Sequence, residues 1–356
     1  MDFRTIAAVL LGFSILSACG GQGDNPLGRE NPTEEPDDGE DGEEDPVVPV
    51  DDPEDPLVNE GSTDDFYSIE DVDKITLDSD DDGNPILVVE GLTLDGGGAE
   101  TVYVRRTDLD QSGFLAFAIQ DDPLDRYVRG YIDADNNGGT VTAGVAVSGA
   151  QFNRYFRGAT VTRTDDYDPP AATDATGLVT YTGNYVGVLN IEGTDSELLP
   201  VIDAADEIIP GTVVLTTTGK VFLNADFADL AINGSVYDRE AVEIGLSLPS
   251  YALILGRIDD EGNFGGTMEF SNDQTVDAYE ALDQTEGGVG QYAGIIGGED
   301  GAAIAGALTI DSIDGGDDIL GFTNEEEIGV FTLEKCGTDG ANAARCAEVN
   351  PDFSAD

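Results

Sequence analysis

The chain has 356 residues and a formal net charge of −59, because 15 Lys and Arg stand against 74 Asp and Glu. It contains no His and no Trp. Without imidazole, Ser-His and Cys-His nucleophile pairs, His-ligated zinc and haem with a proximal His are excluded. The charge argues against nucleic acid as a partner, because the phosphate backbone is also negative. The length suits about two domains, and 46 glycines favour turns and strands.

A short apolar run over residues 6–18 has the length of a signal-peptide core and is too short for a relaxed membrane-spanning helix. It ends in Leu16-Ser17-Ala18-Cys19, which resembles the bacterial lipoprotein signal. The resemblance implies that residues 1–18 are removed and that Cys19 carries the acyl chains, palmitate among them, that anchor the protein in a membrane. Gly20 stands where Asp would indicate inner-membrane retention, so we expect the outer membrane of a diderm bacterium. An ordinary export signal with a chance Cys is the alternative.

Residues 19–56 are predicted to be a disordered acidic tether. The stretch from Glu30 to Pro56 holds 14 acidic residues, six prolines and no Lys or Arg. Mutual repulsion and fixed proline φ angles keep such a segment extended, at about 3.1 Å per residue and a total reach on the order of 100 Å. It would hold a folded part away from the membrane, as a spacer of tuned or of arbitrary length.

The C-terminal part, residues 175–336, alternates apolar and polar residues in short runs, the pattern of half-buried strands. Glycine-containing turns at hairpin spacing separate several of them. Eight or nine such strands favour a closed antiparallel barrel of eight strands, because closure removes exposed edges. The predicted strands are Leu178–Asn190, Val213–Thr217, Val221–Phe227, Leu230–Val236, Tyr251–Ile258, Phe264–Phe270, Tyr292–Ile296, Ile304–Ile310 and Ile328–Leu333.

Residues 57–172 are predicted to form a second, smaller sheet domain, so the fold class is all-β. The sequence Asp168-Pro169-Pro170 interrupts the strand pattern and places the boundary near 165–176. The predicted strands of this domain are Ile86–Glu90, Val102–Thr107, Phe114–Gln120, Tyr127–Asp133, Val141–Val147 and Tyr155–Thr164.

Landmarks of the predicted barrel resemble a known family. They are Thr180-Tyr181-Thr182-Gly183-Asn184-Tyr185-Val186-Gly187, Gly262-Asn263-Phe264-Gly265-Gly266, Gln291-Tyr292-Ala293-Gly294 and Ile304-Ala305-Gly306-Ala307-Leu308. In order and spacing, and behind a lipoprotein signal and tether, they resemble the C-terminal barrel of transferrin-binding protein B. The resemblance implies a surface lipoprotein in which a handle domain precedes an eight-stranded barrel. The chain has one such barrel where the family has two lobes, and no transferrin-contacting motif is matched.

An aspartate-rich loop is a candidate calcium site. Asp78, Asp80, Asp82 and Asn84 occupy positions 1, 3, 5 and 7 of a calcium-binding loop that has glycine at position 6. The bidentate Glu at position 12 is missing, since Val89 stands there. A plain hairpin turn is the alternative. The first half of the pattern recurs at residues 133–138. Apart from calcium, the sequence indicates no cofactor.

A small repeat places arginines beside tyrosines. Arg126-Tyr127-Val128-Arg129-Gly130 and Arg154-Tyr155-Phe156-Arg157-Gly158 both read Arg-Tyr-x-Arg-Gly. Guanidinium groups bind carboxylate or sulfate bidentately and stack on rings, so Arg126, Tyr127, Arg129, Arg154, Tyr155 and Arg157 are candidate ligand-binding residues for an anionic group. The alternative is that these arginines neutralise neighbouring Asp-rich turns.

Cys336 and Cys346 are the two cysteines that remain once Cys19 is acylated. Beyond the inner membrane the compartment is oxidising, so we expect a disulfide that closes an 11-residue ring, followed by a C-terminal tail to residue 356. Such a ring stabilises the fold by about 2.5 to 3 kcal/mol in the chain-entropy model. Redox activity is the alternative, although the spacing is not Cys-x-x-Cys.

The sequence therefore predicts a non-enzymatic, tethered outer-membrane lipoprotein, exposed on the cell surface, that binds an extracellular or envelope protein or a small nutrient. The alternative is a structural or surface-shielding acidic lipoprotein without a specific ligand. A third possibility, a ligand held inside the barrel, needs a cavity that eight strands barely permit.

Overall fold

The computed structural model describes residues 66–92, 100–119, 128–133, 140–148, 156–172, 177–190, 214–271, 289–310, 326–337 and 342–350. These residues form 17 β-strands and one short α-helix, which confirms the all-β prediction. The signal peptide, Cys19 and the acidic tether lie outside the described residues. Among the helices that the structure describes, none is long and apolar enough to span a membrane.

The strands belong to two sheets. Those of the first sheet are β1 Phe66–Glu70, β2 Lys74–Ser79, β3 Pro85–Glu90, β4 Glu100–Arg105, β5 Phe114–Ile119, β6 Val128–Asp133, β7 Val141–Ser148 and β8 Arg157–Arg163. Those of the second are β9 Leu178–Asn190, β10 Leu215–Asp226, β11 Ala231–Ala241, β12 Leu246–Leu248, β13 Tyr251–Ile258, β14 Asn263–Phe270, β15 Gly290–Gly297, β16 Ala303–Ile310 and β17 Glu326–Lys335. Helix α1, Ala343–Val349, follows the last strand.

The second sheet is a closed barrel of eight antiparallel strands. Strands β9, β10, β11 and β13 to β17 each pair with the next of these strands along the chain, and β17 pairs with β9. The short β12 adds only to the end of β11. The predicted closure is thereby confirmed, and no edge runs along the length of the barrel wall.

Two strands predicted separately are one strand of the barrel, the strand predicted at Leu230–Val236 extends to Ala241, and β12 was not predicted. Residues 215–217 of the first predicted run and 221–226 of the second belong to a single 12-residue strand, β10, whose pairing with β9 continues through Thr218, Gly219 and Lys220. The strand bulges against β11 at these three residues. A bulge adds a residue to one strand, so the alternation in the sequence is interrupted here although the strand continues.

Aromatic rings lie over glycines inside the barrel. Phe264 pairs with Gly294 and Tyr292 with Gly266, and in the same way Phe331 lies opposite Gly306. A Cβ atom at Gly306 would approach the Phe331 ring to 2.2 Å. The rings therefore need the space that glycine leaves. These pairs give a physical reason for the glycine and aromatic landmarks of the sequence.

The first sheet is a curled meander in the order β1-β8-β7-β6-β5-β4-β3-β2. Its edge strands, β1 and β2, are separated by only residues 71–73 of the chain. Four Cα–Cα steps of about 3.8 Å join their ends, so the sheet bends round until its edges nearly meet. Its concave side encloses Leu87, Tyr103 and Phe117, all fully buried. The sequence analysis did not predict β1 and β2.

The convex side of the first sheet packs on the outside of the barrel. Ala116, Val145 and Val161 from the sheet and Ile295 and Ala305 from the barrel are fully buried members of one core cluster. Strand β16 is consequently buried on both faces. Both sheets belong to one compact unit, residues 53–356. The handle-like domain and its predicted boundary stay a prediction.

Candidate functional site

The two ends of the barrel differ in the length of their connections. At one end, residues 227–230, 259–262 and 298–302 join strands by four or five residues. At the other end, residues 191–214, 271–289 and 311–325 join β9 to β10, β14 to β15 and β16 to β17. We call this second end the long-connection end. Long connections on a rigid scaffold are where binding residues concentrate.

The three long connections are acidic in sequence. They contain six, five and five Asp or Glu respectively, and no Lys or Arg.

The connection from β11 to β12 leaves the same end, and three large apolar side chains are exposed in it and at the first residue of β12. Val242, Ile244 and Leu246 are 37%, 42% and 38% exposed. Residues 242–244 form a short 3-10 turn, which Gly245 ends in the left-handed region at φ 60°. We call Val242, Ile244 and Leu246 the apolar tip.

A buried hydrogen-bonded cluster holds the base of the apolar tip. Glu243 Oε2 accepts the backbone N–H of Thr216 at 2.7 Å, and Glu243 Oε1 accepts from the Thr216 hydroxyl at 2.8 Å and from Arg129 Nη1 at 2.5 Å. Arg129 Nη1 also donates to Thr216 Oγ1, and Tyr131 lies 2.7 Å from the same atom. Because Thr216 has one hydroxyl proton and gives it to Glu243, Tyr131 is the donor. We call these four residues the junction cluster.

The junction cluster joins the two sheets. Arg129 and Tyr131 lie on β6 of the first sheet, whereas Thr216 lies on β10 of the barrel. The Arg129 and Thr216 side chains are buried, and Glu243 reaches them from the turn after β11. The apolar tip is therefore positioned by groups from both sheets.

A second polar cluster lies inside the barrel at the long-connection end. Glu327 accepts hydrogen bonds from Tyr185 and Thr217, each at 2.6 Å, from Tyr251 at 3.3 Å and from the Arg239 guanidinium. The Arg239 and Glu327 side chains are both almost fully buried, so each charge depends on the other and on the hydrogen bonds around it. Burial, followed by the charge of Glu327, raises the pKa of Tyr185 well above its ordinary value. We call this the barrel cluster; it fills space that an internal ligand would need.

The candidate calcium loop forms the hairpin turn between β2 and β3. Asp80 Oδ1 accepts the backbone N–H groups of Asp82 and Asn84, and the Asn84 side chain donates to Asp80 Oδ2 at 3.0 Å. Asp78 Oδ1 accepts the N–H of the next residue. Hydrogen bonding to Asn84 lowers the pKa of Asp80. Within the described residues, no group of three acidic, Cys or His side chains could hold a metal ion. A calcium site here stays a prediction.

The same turn recurs in the barrel between β13 and β14. Asp259 Oδ1 accepts from the N–H groups of Glu261 and Asn263, and the Asn263 side chain donates to Asp259 Oδ2. Both turns carry glycine at positive φ, Gly83 at 83° and Gly262 at 81°. The pattern of Asp, two acidic residues, Gly and Asn thus forms the same hairpin in each sheet.

The structure describes two of the six candidate anion-binding residues, Arg129 and Arg157. Both are buried and lie in one row across β6, β7 and β8, on either side of Val147. Arg129 contacts the junction cluster, and Arg157 donates to the Ile310 carbonyl and lies 3.4 Å from Glu326. Both guanidinium groups therefore contact the long-connection end of the barrel.

The other four candidates, Arg126, Tyr127, Arg154 and Tyr155, lie outside the described residues, so the anion site stays a prediction. The glycines of the repeat have a structural reason. A Cβ atom would approach the Val72 side chain to 2.4 Å at Gly158 and the Leu87 side chain to 2.6 Å at Gly130.

A disulfide joins Cys336 and Cys346, with a Cα–Cα distance of 5.7 Å. Cys336 follows β17, and Cys346 lies in α1, where it is fully buried. Glu348 of the same helix pairs with Lys220 on β10 at 3.3 Å. The disulfide and this ion pair therefore hold α1 against the barrel.

Sequence analysis missed the junction cluster, the barrel cluster and the apolar tip. Glu243 is 114 residues from Arg129, and Glu327 is 88 residues from Arg239, so no local motif indicates either pair. The sequence does contain a pattern that indicates the apolar tip. Apolar residues at positions 242, 244 and 246 alternate directly beside Gly245, where a turn exposes them.

The protein is thus all-β, and its closed eight-stranded barrel packs against a curled sheet. No family model and no curated protein sequence matches the chain. The structure is similar to solved structures of transferrin-binding protein B, whose barrel the sequence landmarks resemble.

A double mutant of the Haemophilus parasuis vaccine antigen has a TM-score of 0.39 and 10% identity, over 76% of this chain and 45% of that one. The isotype 1 protein of serogroup B Neisseria meningitidis has a TM-score of 0.38 and 16% identity, over 76% and 43%. A mutant of the Actinobacillus pleuropneumoniae H49 antigen has a TM-score of 0.33 and 13% identity, over 76% and 98%. The chain thus spans less than half the length of the first two.

Proposed function

We propose that the protein is a non-enzymatic lipoprotein whose acylated Cys19 anchors it in the outer membrane of a diderm bacterium. Its tether presents the two-sheet unit at the cell surface, where that unit binds a macromolecule or a nutrient. The observation that carries this proposal is the order of parts along one chain. A segment that resembles a lipoprotein signal and an acidic, proline-rich segment precede a closed barrel whose long connections start and end at one end of it.

The packing of the barrel supports a ligand bound on the outside. Its interior is lined by large side chains that are fully buried, including Tyr181, Tyr292 and Phe331, and by the barrel cluster at the long-connection end. The ligand class stays at macromolecule or nutrient. Transferrin is not assigned, because the sequence matches no transferrin-contacting motif of the similar proteins.

The exposed apolar tip favours binding over the alternative of a surface shield without a ligand. A shield needs charge and hydration, which the 74 acidic residues supply. Three large aliphatic side chains exposed within five residues of sequence contribute nothing to hydration and are typical of a contact surface.

Acylation is tested by growing cells that express the full-length protein with labelled palmitate and then separating their membranes. The parent protein is expected to carry the label and to fractionate with the outer membrane. Cys19→Ala is the matched variant and is expected to lose both properties. An unlabelled parent protein, or a Cys19→Ala variant that keeps its label, would contradict the proposal.

A further inference from the structure

We propose that the free edge of β2 binds an extended, cationic segment of a partner protein as an added strand of the first sheet. The segment pairs with Ile75 and Leu77 through main-chain hydrogen bonds, and its Lys or Arg side chains face the aspartates around β2. The inference rests on the proposed binding function and deepens it, because it names the surface and the chemistry of the partner.

Strand β2 has a neighbouring strand on one side only. It pairs with β3 over its whole length, from Lys74 to Ser79, and no other described strand pairs with it. Strand β1, the other edge of the sheet, is connected to β2 by residues 71–73 but neither pairs with it nor packs along it. The edge of β2 that faces away from β3 is therefore free among the residues that the structure describes.

The hydrogen bonds of the β2–β3 hairpin show which backbone groups face this edge. The Asp80 N–H donates to the Asn84 carbonyl at 2.9 Å, so these two residues form a hydrogen-bonded pair. In an antiparallel ladder every second pair exchanges hydrogen bonds, so Thr76, four residues before Asp80, bonds to β3. Ile75 and Leu77 lie on either side of it and direct their N–H and C=O groups away from β3. These four groups can pair with an added strand.

The edge has little of the protection that prevents strand addition. Edge strands are commonly protected by a bulge, by proline or by lysine. Strand β2 pairs with β3 without a bulge, contains no proline and has its one lysine, Lys74, at its first position. Leu77 in its middle is 41% exposed. The Ser79 N–H donates to Asp78 Oδ1 at 2.7 Å, so the template ends there.

The charges around β2 select the segment that binds. Residues 71–82 contain one lysine and six aspartates, all exposed, and none of these aspartates forms an ion pair with a Lys or Arg that the structure describes. The six are Asp71, Asp73, Asp78, Asp80, Asp81 and Asp82. Lys or Arg side chains on an added strand lie close enough to interact with them. An acidic segment, an anionic lipid surface or a second copy of this chain, with its net charge of −59, is repelled.

The test uses the full-length lipoprotein in detergent, with a photo-crosslinking amino acid in place of the exposed Ser79. The probe is a synthetic peptide of alternating Thr and Val with two Lys at each end. We expect an adduct with this peptide, and at least tenfold less adduct with a peptide that carries Glu in place of Lys. The matched control has the crosslinker in place of Asn233, which is exposed on β11 between two paired strands, and is expected to give no adduct.

A pair of variants at Leu77 tests the main-chain hydrogen bonds. Leu77→Pro removes an N–H that faces the free edge and keeps the ladder with β3, because proline is accepted at such edge positions. It is expected to lower the adduct yield at least tenfold. Leu77→Thr keeps the N–H and is expected to keep the yield within about twofold. The circular dichroism spectrum is expected to stay unchanged in both.

A charge reversal tests the aspartates without altering β2. Asp81→Lys/Asp82→Lys changes two exposed side chains of the turn and is expected to lower the preference for the Lys peptide over the Glu peptide at least threefold. This variant decides the test if Leu77→Pro changes the circular dichroism spectrum.

The proposal is overturned by equal adducts at positions 79 and 233, by equal yields with the two peptides, by a folded Leu77→Pro variant with full yield, by an unchanged preference in the charge reversal, by a crosslinked dimer of the lipoprotein, or by no adduct. Palmitate labelling and protease accessibility are measured on intact cells that express the parent protein. Labelled and accessible protein that forms no adduct contradicts strand addition alone, whereas unlabelled and protected protein contradicts the proposed function.

Discussion

Tyr185 shows how glycines and a buried charge act together in the barrel. Its hydroxyl lies where a side chain at Gly187 would stand, its hydroxyl and ring lie where one at Gly329 would stand, and the hydroxyl donates to Glu327. A Cβ atom at Gly329 would lie 2.2 Å from the hydroxyl oxygen and 2.4 Å from the ring. The absence of a side chain at Gly329 is therefore a requirement of the barrel cluster.

Gly329→Ala is expected to destabilise the protein by about 2 kcal/mol, because the added methyl group must displace Tyr185 from Glu327. Gly337→Ala is the control, since a Cβ atom there has no neighbour within 4 Å. We expect the control to differ from the parent by less than about 0.5 kcal/mol. Urea unfolding measures both variants, and equal stabilities would show that Tyr185 is not held as described.

Buried tyrosines make the protein sensitive to alkaline pH. Burial raises the pKa of Tyr103, Tyr181, Tyr185, Tyr251 and Tyr292 above the ordinary value of 10. Above pH 10 the tyrosines ionise in the unfolded chain but stay protonated in the folded protein, because their folded-state pKa is higher. The free energy of unfolding is therefore unaffected by these groups below pH 10 and falls as the pH rises further. In that range each tyrosine that stays neutral in the folded protein lowers the free energy of unfolding by about 1.4 kcal/mol per pH unit.

We therefore expect unfolding above pH 10, with the tyrosinate absorbance of the buried rings appearing in the same transition as the loss of circular dichroism. Tyr103→Phe removes one of these groups and is expected to make the stability fall less steeply with pH. Complete ionisation of the tyrosines in a protein that is still folded would contradict the described burial.

At the scale of elements, α1 depends on its disulfide. Seven residues are too few for a helix that is stable by itself. Its connections to the barrel include the bond from Cys346 to Cys336 and the ion pair of Glu348 with Lys220.

Cys336→Ser/Cys346→Ser is expected to lower the free energy of unfolding by about 2 to 3 kcal/mol, because the unfolded chain regains the freedom of the 11-residue ring. The reduced parent protein should behave like this variant in urea. If reduction leaves the unfolding midpoint unchanged, the bond does not stabilise the fold.

Strands could be predicted from the sequence where alternation is regular. Tyr251–Ile258 has the predicted bounds because a largely apolar run of strand length ends directly at the turn Asp259-Asp260-Glu261-Gly262. Strands β1 and β2 were missed because the segment from Phe66 to Ser79 carries many charges, and only one residue of β2, Ile75, is buried. An edge strand of a curled sheet needs few apolar residues, so its sequence pattern is weak.

At the scale of the whole molecule, closure of the barrel followed from counting strands, but the packing of the two sheets did not. Ala116 and Ala305 meet in a core that only the three-dimensional arrangement defines. The Arg-Tyr-x-Arg-Gly repeat was visible in the sequence. That Arg129 reaches Glu243 at the base of the apolar tip was not, because 114 residues separate them.

The central claim is that the tether presents the two-sheet unit outside the cell. Protease treatment of intact cells, with permeabilised cells as the control, tests this claim by detecting peptides from residues 57–356. We expect these peptides to be released from intact cells that express the parent protein. Protection of the unit until the outer membrane is permeabilised would place it in the periplasm and contradict the account.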